Sequence, residues 1–420
     1  MESSRKVLLN RIQNILIVLL SVSAVFLFFR TQLSTSSSRN GTDGFSPAPG
    51  AAGVSDSSRV AAPVRLAVTG AYGRYASSVL RTSDEDFAAP GSLLGEALRP
   101  SGSFSACLPE LFYAALNPSS IYYELEGSLP LSALAGLLNT EAEDTPLPVR
   151  RLLLSRGEDG QVWLYLWQES GSCLRRATGV STAALDTLIE SYTLGGSFFA
   201  LDLGEDFSAL DPLTLFSSDE SAPPVLHAES TLSDEDALLT ALDFNPRTEF
   251  RYTESSGTVV IVAGNRILRL SPDCTVVYSG GTESTLQIPC RQPDHPTAQE
   301  AAQGVYRLLS SLLPEGSEAS LCLTALRQNG SATSLEFNYL INNCPVRFSD
   351  GQSAASVELI GNSINAFTLR LRQYTSREES ALLLPRTQAA AIAAAQGGGQ
   401  LLVCYADDRS GRVSAVWLAQ

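Results

Sequence analysis

An 18-residue apolar run, Ile12 to Phe29 (IQNILIVLLSVSAVFLFF), constrains this chain more than any other feature. Arg5, Lys6 and Arg11 precede it, and a Ser/Gly/Ala/Pro stretch follows Arg30. At 1.5 Å rise per residue such a helix spans about 27 Å, enough for the hydrocarbon core of a bilayer. The basic head predicts that the N-terminal side stays in the cytoplasm and everything after Arg30 lies outside. About eleven residues then remain inside the cell, too few for a folded output module. A cleaved signal peptide is the rival reading, with Ser21 and Ser23 as a small-residue pair before Ala24. Cutting there would leave the apolar pentad Val25 to Phe29 at the new N-terminus, and no cysteine stands at a lipoprotein-like position. The sequence reads as an uncleaved anchor.

Pro63 to Gln420, about 358 residues, is too long for one ordinary core and predicts two or three domains. With 44% hydrophobic and 17% charged residues the chain is globular. A net charge of −15 argues against nucleic acid and against anionic membrane surfaces. Lys6 is the only lysine, so every cation beyond the anchor is an arginine or a histidine. The seven cysteines are scattered without a C-x-x-C pair, and His227 and His295 are the only histidines, which argues against zinc. Two expectations stay open for the cysteines: disulfides, with Cys274–Cys290 and Cys322–Cys344 as the pairs to consider, or buried, reduced thiols.

The expected organisation is a cytoplasmic head (1–11), a transmembrane anchor (12–29), a flexible linker (30–62), an N-terminal α+β ectodomain (63–225), a middle helix/antiparallel-sheet module (226–290) and a C-terminal helix/antiparallel-sheet domain (291–420). The fold class is α+β. In the first ectodomain region, VRLAVTG and IYYELEG read as strands, SLLGEAL, CLPELFYAAL and LPLSALAGLL as helices. RRLLLSRGEDGQVWLYLWQES reads as a hairpin turning at Gly160, and Thr182 to Tyr192 as a helix capped by Ser181. The middle module opens on LSDEDALLTALDF, with Ser233 and Asp236 placed like a capping box, and continues with strands broken at Ser256-Gly257, Gly264-Asn265 and Pro272-Asp273. The C-terminal domain repeats that plan. Thr297 and Glu300 form a capping box, Ala301, Val305, Leu308 and Leu312 mark one apolar helix face, and strands turn at Asn342-Asn343 and Gly361-Asn362. Thr387 is placed to cap an alanine-rich helix that stops at Gly397.

No catalytic constellation is evident. There is no G-x-S-x-G, H-E-x-x-H or Walker loop, and two histidines beside a proline or small residue make a Ser-His-Asp triad improbable. Gly397 to Gly399 follow a helix rather than precede one, which is the wrong order for a phosphate cradle. Asp407 and Asp408 read as a hairpin tip; Asp234, Glu235 and Asp236 read as first-turn charges complementing a helix dipole. Neither a cofactor nor a metal is expected, and the chain is not expected to be an enzyme. One pattern does point to a partner: Asn14, Ile17, Ser21, Ala24 and Phe28 recur at three- and four-residue steps, a polar and small-residue stripe suited to close helix approach within a membrane.

The stretch FNPRTEFRYTESSGTVVIVAGNRILRLSPDCTVVYSG resembles the middle of YycH-like proteins of Gram-positive bacteria. The matching residues are Asn245, Pro246, Thr248, Tyr252, Glu254, Gly257, Thr258, Val260, Arg266, Leu268, Arg269, Ser271, Pro272, Asp273 and Tyr278. Cys274 stands where that pattern has glycine, which predicts a looser turn. Residues 291–420 resemble the module shared by YycH and YycI, with Asn342, Asn343, Cys344, Pro345 and Val346 in place of its N-G-x-P-V hairpin. Asn343 can take the glycine's left-handed conformation at modest cost. The resemblance covers about half the ectodomain. It implies an extracytoplasmic protein on a single anchor that binds and restrains a WalK-like sensor histidine kinase, the partner of WalR in controlling cell-wall metabolism, through transmembrane and ectodomain contacts. A second YycH/YycI-type protein is a further candidate partner. The competing expectation is a structural scaffold of the cell envelope, of divisome or secretion type, that only binds partners.

Overall fold

Runs rich in β-branched, aromatic and leucine residues build most of this molecule, and helices fill the gaps between them. The structure is a computed structural model that describes residues 60–420 apart from 72, 142–146, 169, 193–195, 218–221, 248, 282, 283 and 285, with the backbone alone at 75–78. The Ile12–Phe29 run lies outside the described residues. Among the described residues no helix is long and apolar enough to cross a membrane. These residues form a mixed α+β structure, mostly sheet.

The first sheet comprises β1 (Pro63–Gly70), β2 (Gly73–Arg81), β3 (Ser105–Cys107), β4 (Ser120–Pro130), β5 (Pro148–Arg156), β6 (Val162–Trp167) and β7 (Cys173–Ala177). It is antiparallel throughout, in the order β2-β1-β4-β5-β6-β7-β3. One face packs on α1 (Ala88–Leu98), α3 (Leu131–Leu137) and α4 (Thr182–Glu190) through Leu94, Leu134 and Leu185. The other face carries α2 (Pro109–Ala115) through Phe112 and Tyr165. The β5–β6 hairpin turns at Gly160 (φ 75°), and Ser181 accepts the Ala184 N–H, both as the sequence predicts. β8 (Ser197–Phe199) and β9 (Leu215–Ser217) form a small ribbon beside this sheet.

A 13-stranded sheet holds the rest. Its strands are β10 (Pro224–Ser230), β11 (Phe250–Thr253), β12 (Val259–Ala263), β13 (Arg266–Leu270), β14 (Thr275–Ser279), β15 (Ser320–Asn329), β16 (Ala332–Ile341), β17 (Cys344–Phe348), β18 (Ala355–Ile360), β19 (Ser363–Arg370), β20 (Arg372–Ser380), β21 (Leu401–Asp407) and β22 (Arg412–Ala419). The order is β11-β12-β13-β14-β19-β18-β16-β17-β21-β22-β10-β20, with β15 also on β16. The strands of the middle and C-terminal regions thus meet at β14–β19 and share one sheet. α5 (Glu235–Ala241) and α6 (Ala298–Ser311) cover its core face, and α7 (Arg386–Ala395) packs near β21 and β22. The Thr297–Glu300 capping box forms, and Ala301, Val305 and Leu312 are buried, with Leu308 partly so.

Several expectations need correction. β17 and β21 are parallel, whereas the sequence led us to expect only antiparallel pairs. The reason is that β16 shares one edge: β18 takes Ala332–Phe337, β17 pairs only at Leu340 and Ile341, and it then diverges to β21. Asp234, not Ser233, caps α5, because its carboxylate accepts the Ala237 N–H at 3.0 Å. Thr387 lies inside α7, which begins after Pro385. The turn at Cys274 is not loosened: Cys274 itself takes φ 58°, and the Ser271 N–H reaches the Thr275 carbonyl at 3.0 Å. The cysteines that pair are Cys107 and Cys173, across β3–β7. Cys274, Cys290, Cys322 and Cys344 are free, as is Cys404.

Candidate functional site

The residues singled out for a partner-helix interface, Asn14, Ile17, Ser21, Ala24 and Phe28, lie outside the described residues, so a site must be sought among residues 60–420. The three buried free thiols are poor nucleophiles. Burial pushes Cys322, Cys344 and Cys404 up to about 12, so each stays protonated near neutrality. His227 is half exposed on β10, with Nδ1 3.0 Å from the Gly411 carbonyl and 3.2 Å from the Arg377 guanidinium. No group of three or more His, Cys, Asp or Glu side chains among the described residues could hold a metal ion.

The buried charges serve the fold. Asp407, at the end of β21, is wholly buried and receives Arg372 in a two-pronged pair, Nε at 3.0 Å and Nη2 at 2.7 Å. The Tyr374 hydroxyl donates to it at 2.7 Å, and so does the Arg409 N–H. Burial and the Asp407 charge hold the Tyr374 phenol far above its usual range, so it stays a donor. Around this centre Arg409 bridges Asp273 (2.7 Å) and Asp350 (2.9 Å), while Arg370 grips both oxygens of Asp350 at 3.1 and 2.7 Å. The cluster ties the β13–β14 turn and the β21–β22 tip to β19 and β20. Asp408 caps this tip through the Ser410 N–H, as the hairpin reading predicts.

A second polar seam joins the two sheets. Glu124 on β4 accepts from Arg151 (3.0 Å) and from the Gln400 amide, and Arg65 lies 3.6 Å away. Arg151 also holds Asp211 at 2.7 Å, and Glu126 pairs with Arg347. An ion pair buried this way yields little net stability but fixes one arrangement of its neighbours, because breaking it would strand a charge.

Two of the concave surfaces among the described residues stand out. A cleft of about 750 Å³ lies between α6 and the segment from Thr82 through α1, and is lined mainly by polar groups. Gln299, Gln303 and Arg307, at four-residue steps on α6, line it together with Asp84 and Glu85. The second is an apolar groove of about 210 Å³ between α7, β22 and the loop before α7. Leu382 there is 100% exposed, and Leu384, Ile392 and Val416 are 47%, 48% and 37% exposed. The Trp417 indole donates to the Leu384 carbonyl at 2.9 Å and pins the loop against β22. Sequence reasoning missed this groove. The available signal was Leu382-Leu383-Leu384 before Pro385, an apolar triplet with neither strand alternation nor helical spacing.

No family model, curated protein or solved structure matches this chain. A function must therefore be argued from its own residues.

Proposed function

We propose that this protein is a membrane-anchored, extracytoplasmic accessory regulator that binds and modulates a WalK-type sensor histidine kinase controlling cell-wall metabolism. The observation that carries the binding role is the distribution of side chains. Buried charges are engaged with one another, while large apolar groups (Leu382, Leu384, Ile392 and Val416) stay exposed around one groove. Exposed apolar surface of this kind marks interaction sites. The Cys107–Cys173 disulfide supports an oxidising compartment outside the cytoplasm. The identity of the kinase rests on the YycH/YycI resemblance of residues 245–278 and 342–346. The Asn14/Ser21/Ala24 stripe supplies a second contact inside the bilayer.

The double change Ser21→Leu with Ala24→Leu tests the reading, because bulky side chains would hold a partner helix away while insertion is kept. WalR-dependent transcription should shift in the direction that deletion of the protein shifts it. Unchanged transcription in both the double variant and the deletion, with altered localisation of envelope partners in the deletion, would favour the scaffold reading instead.

A further inference from the structure

β11 closes one end of the 13-stranded sheet, and all four of its residues are exposed, Phe250 by 67% and Tyr252 by 43%. Its hairpin determines where its backbone groups point. The Glu254 N–H donates to the Thr258 carbonyl at 2.9 Å, which makes 254 and 258 a hydrogen-bonded pair. Such pairs alternate along an antiparallel ladder, and the register from Thr253↔Val259 to Phe250↔Val262 runs without a bulge. Tyr252 and Phe250 therefore bond to β12, whereas the N–H and C=O groups of Arg251 and Thr253 point away from the sheet. Among the described residues no strand pairs with that edge.

The side chains divide by face. Arg251 lies toward α5, where it pairs with Glu235 at 2.7 Å. Phe250 and Tyr252 lie on the opposite face with ring centroids 5.8 Å apart, in register with Val262 and Val260. Natural edge strands are blunted by shortness, charged side chains, proline or a bulge. β11 is short and carries Arg251, but Arg251 is drawn onto Glu235 of α5, and neither a proline nor a bulge interrupts the edge, so its outward backbone groups stay open beside two exposed aromatic rings.

We propose that β11 accepts an added strand from a partner protein. The outward groups of Arg251 and Thr253 repeat every two residues, about 6.8 Å, a spacing that only an extended backbone matches. The incoming segment carries apolar side chains at the two alternate positions beside Phe250 and Tyr252. The residue between them is polar, because it falls on the face of Arg251, Glu235 and Thr253. A second copy of this chain fits poorly. Two-fold pairing centred on Arg251 sets that arginine against its own counterpart. Centring on Tyr252 sets Glu254 against Phe250 at both ends, and centring on Thr253 sets Glu254 against Tyr252.

This inference rests on the partner-binding reading but not on which partner is bound. The test measures amide exchange at Arg251 and Thr253 in the full-length protein in lipid nanodiscs. It is run with the WalK-type kinase added and, separately, with a capped hexapeptide of alternating valine and threonine. Strand addition slows both amides at least tenfold. Arg251→Pro removes an outward N–H without breaking a bond to β12, so it should weaken binding at least tenfold, while Arg251→Ala stays within about twofold. Should Arg251→Pro unfold the chain, N-methylating the hexapeptide on its inward-facing amides provides the same block and the same tenfold loss. Kinase bound with both amides unprotected overturns the strand addition and leaves the kinase reading standing. Protection by the hexapeptide with no kinase binding supports the strand addition and removes the kinase. Protection by neither, with no kinase bound, overturns both.

Discussion

At the scale of single residues, close approach and charge pairing leave little freedom. Gly127 on β4 lies where the first sheet meets β15, and a Cβ there would overlap the Thr324 carbonyl oxygen. Gly127→Ala must push two backbones apart, so a loss of about 2–3 kcal/mol in urea unfolding is expected, typical of overpacking. Asp350 provides a pH signature. Its hydrogen bonds from Arg370 hold the carboxyl down to about 2. A depressed carboxylate stabilises the fold above its unfolded pKa, near 4, and loses that contribution as pH falls through about 2. The stability difference between wild type and Asp350→Asn should be full at pH 5 and fade between pH 4 and 2 in denaturant titrations. Asn342 and Asn343, with φ of 48° and 64°, show what a sequence reveals at this scale. A two-residue hairpin of this hand needs both in the left-handed region, and asparagine is the best non-glycine residue for it.

At the scale of elements, what the chain decides locally could be read in advance, and what depends on distant partners could not. The Thr297–Glu300 box and the apolar stripe of α6 involve neighbours within one or two turns, and both stand as expected. The sequence pattern marks no strand at β2 or β7, although each pairs with the strand just before it, and none at β10. β10 is held only by β20 and β22, some 140–190 positions further along the chain. The cysteine pairing failed for the same reason: Cys107 meets Cys173 only because β3 completes the sheet beside β7, 66 residues away. Closing a loop of that length restricts the unfolded chain by about 4 kcal/mol in the chain-entropy model. Replacing both with serine should therefore lower unfolding free energy by up to about 4 kcal/mol. Wild-type protein treated with reductant should approach the same value, and an unchanged value in the variant would show that the bond contributes nothing to stability.

At the scale of the whole molecule, the two sheets share one continuous core, and their buried charges hold the joint between them. The α+β class was legible in turn chemistry and periodicity, but the merging of the two expected second-half modules into one sheet was not. The apolar groove was not, because Leu382, Leu383 and Leu384 read the same whether they enter a core or line a surface. Only the packing of α7 and Trp417 decides that Leu382 stays outside. On the proposed reading, the open apolar surfaces beside tightly paired charges serve to hold another protein, the kinase. The most direct measurement is quantitative co-purification of the full-length protein with the WalK-type kinase from gently solubilised membranes, against an unrelated single-pass membrane protein as control. The proposal expects the kinase to be retained in near-stoichiometric amount. Recovery no greater than with the control would contradict it.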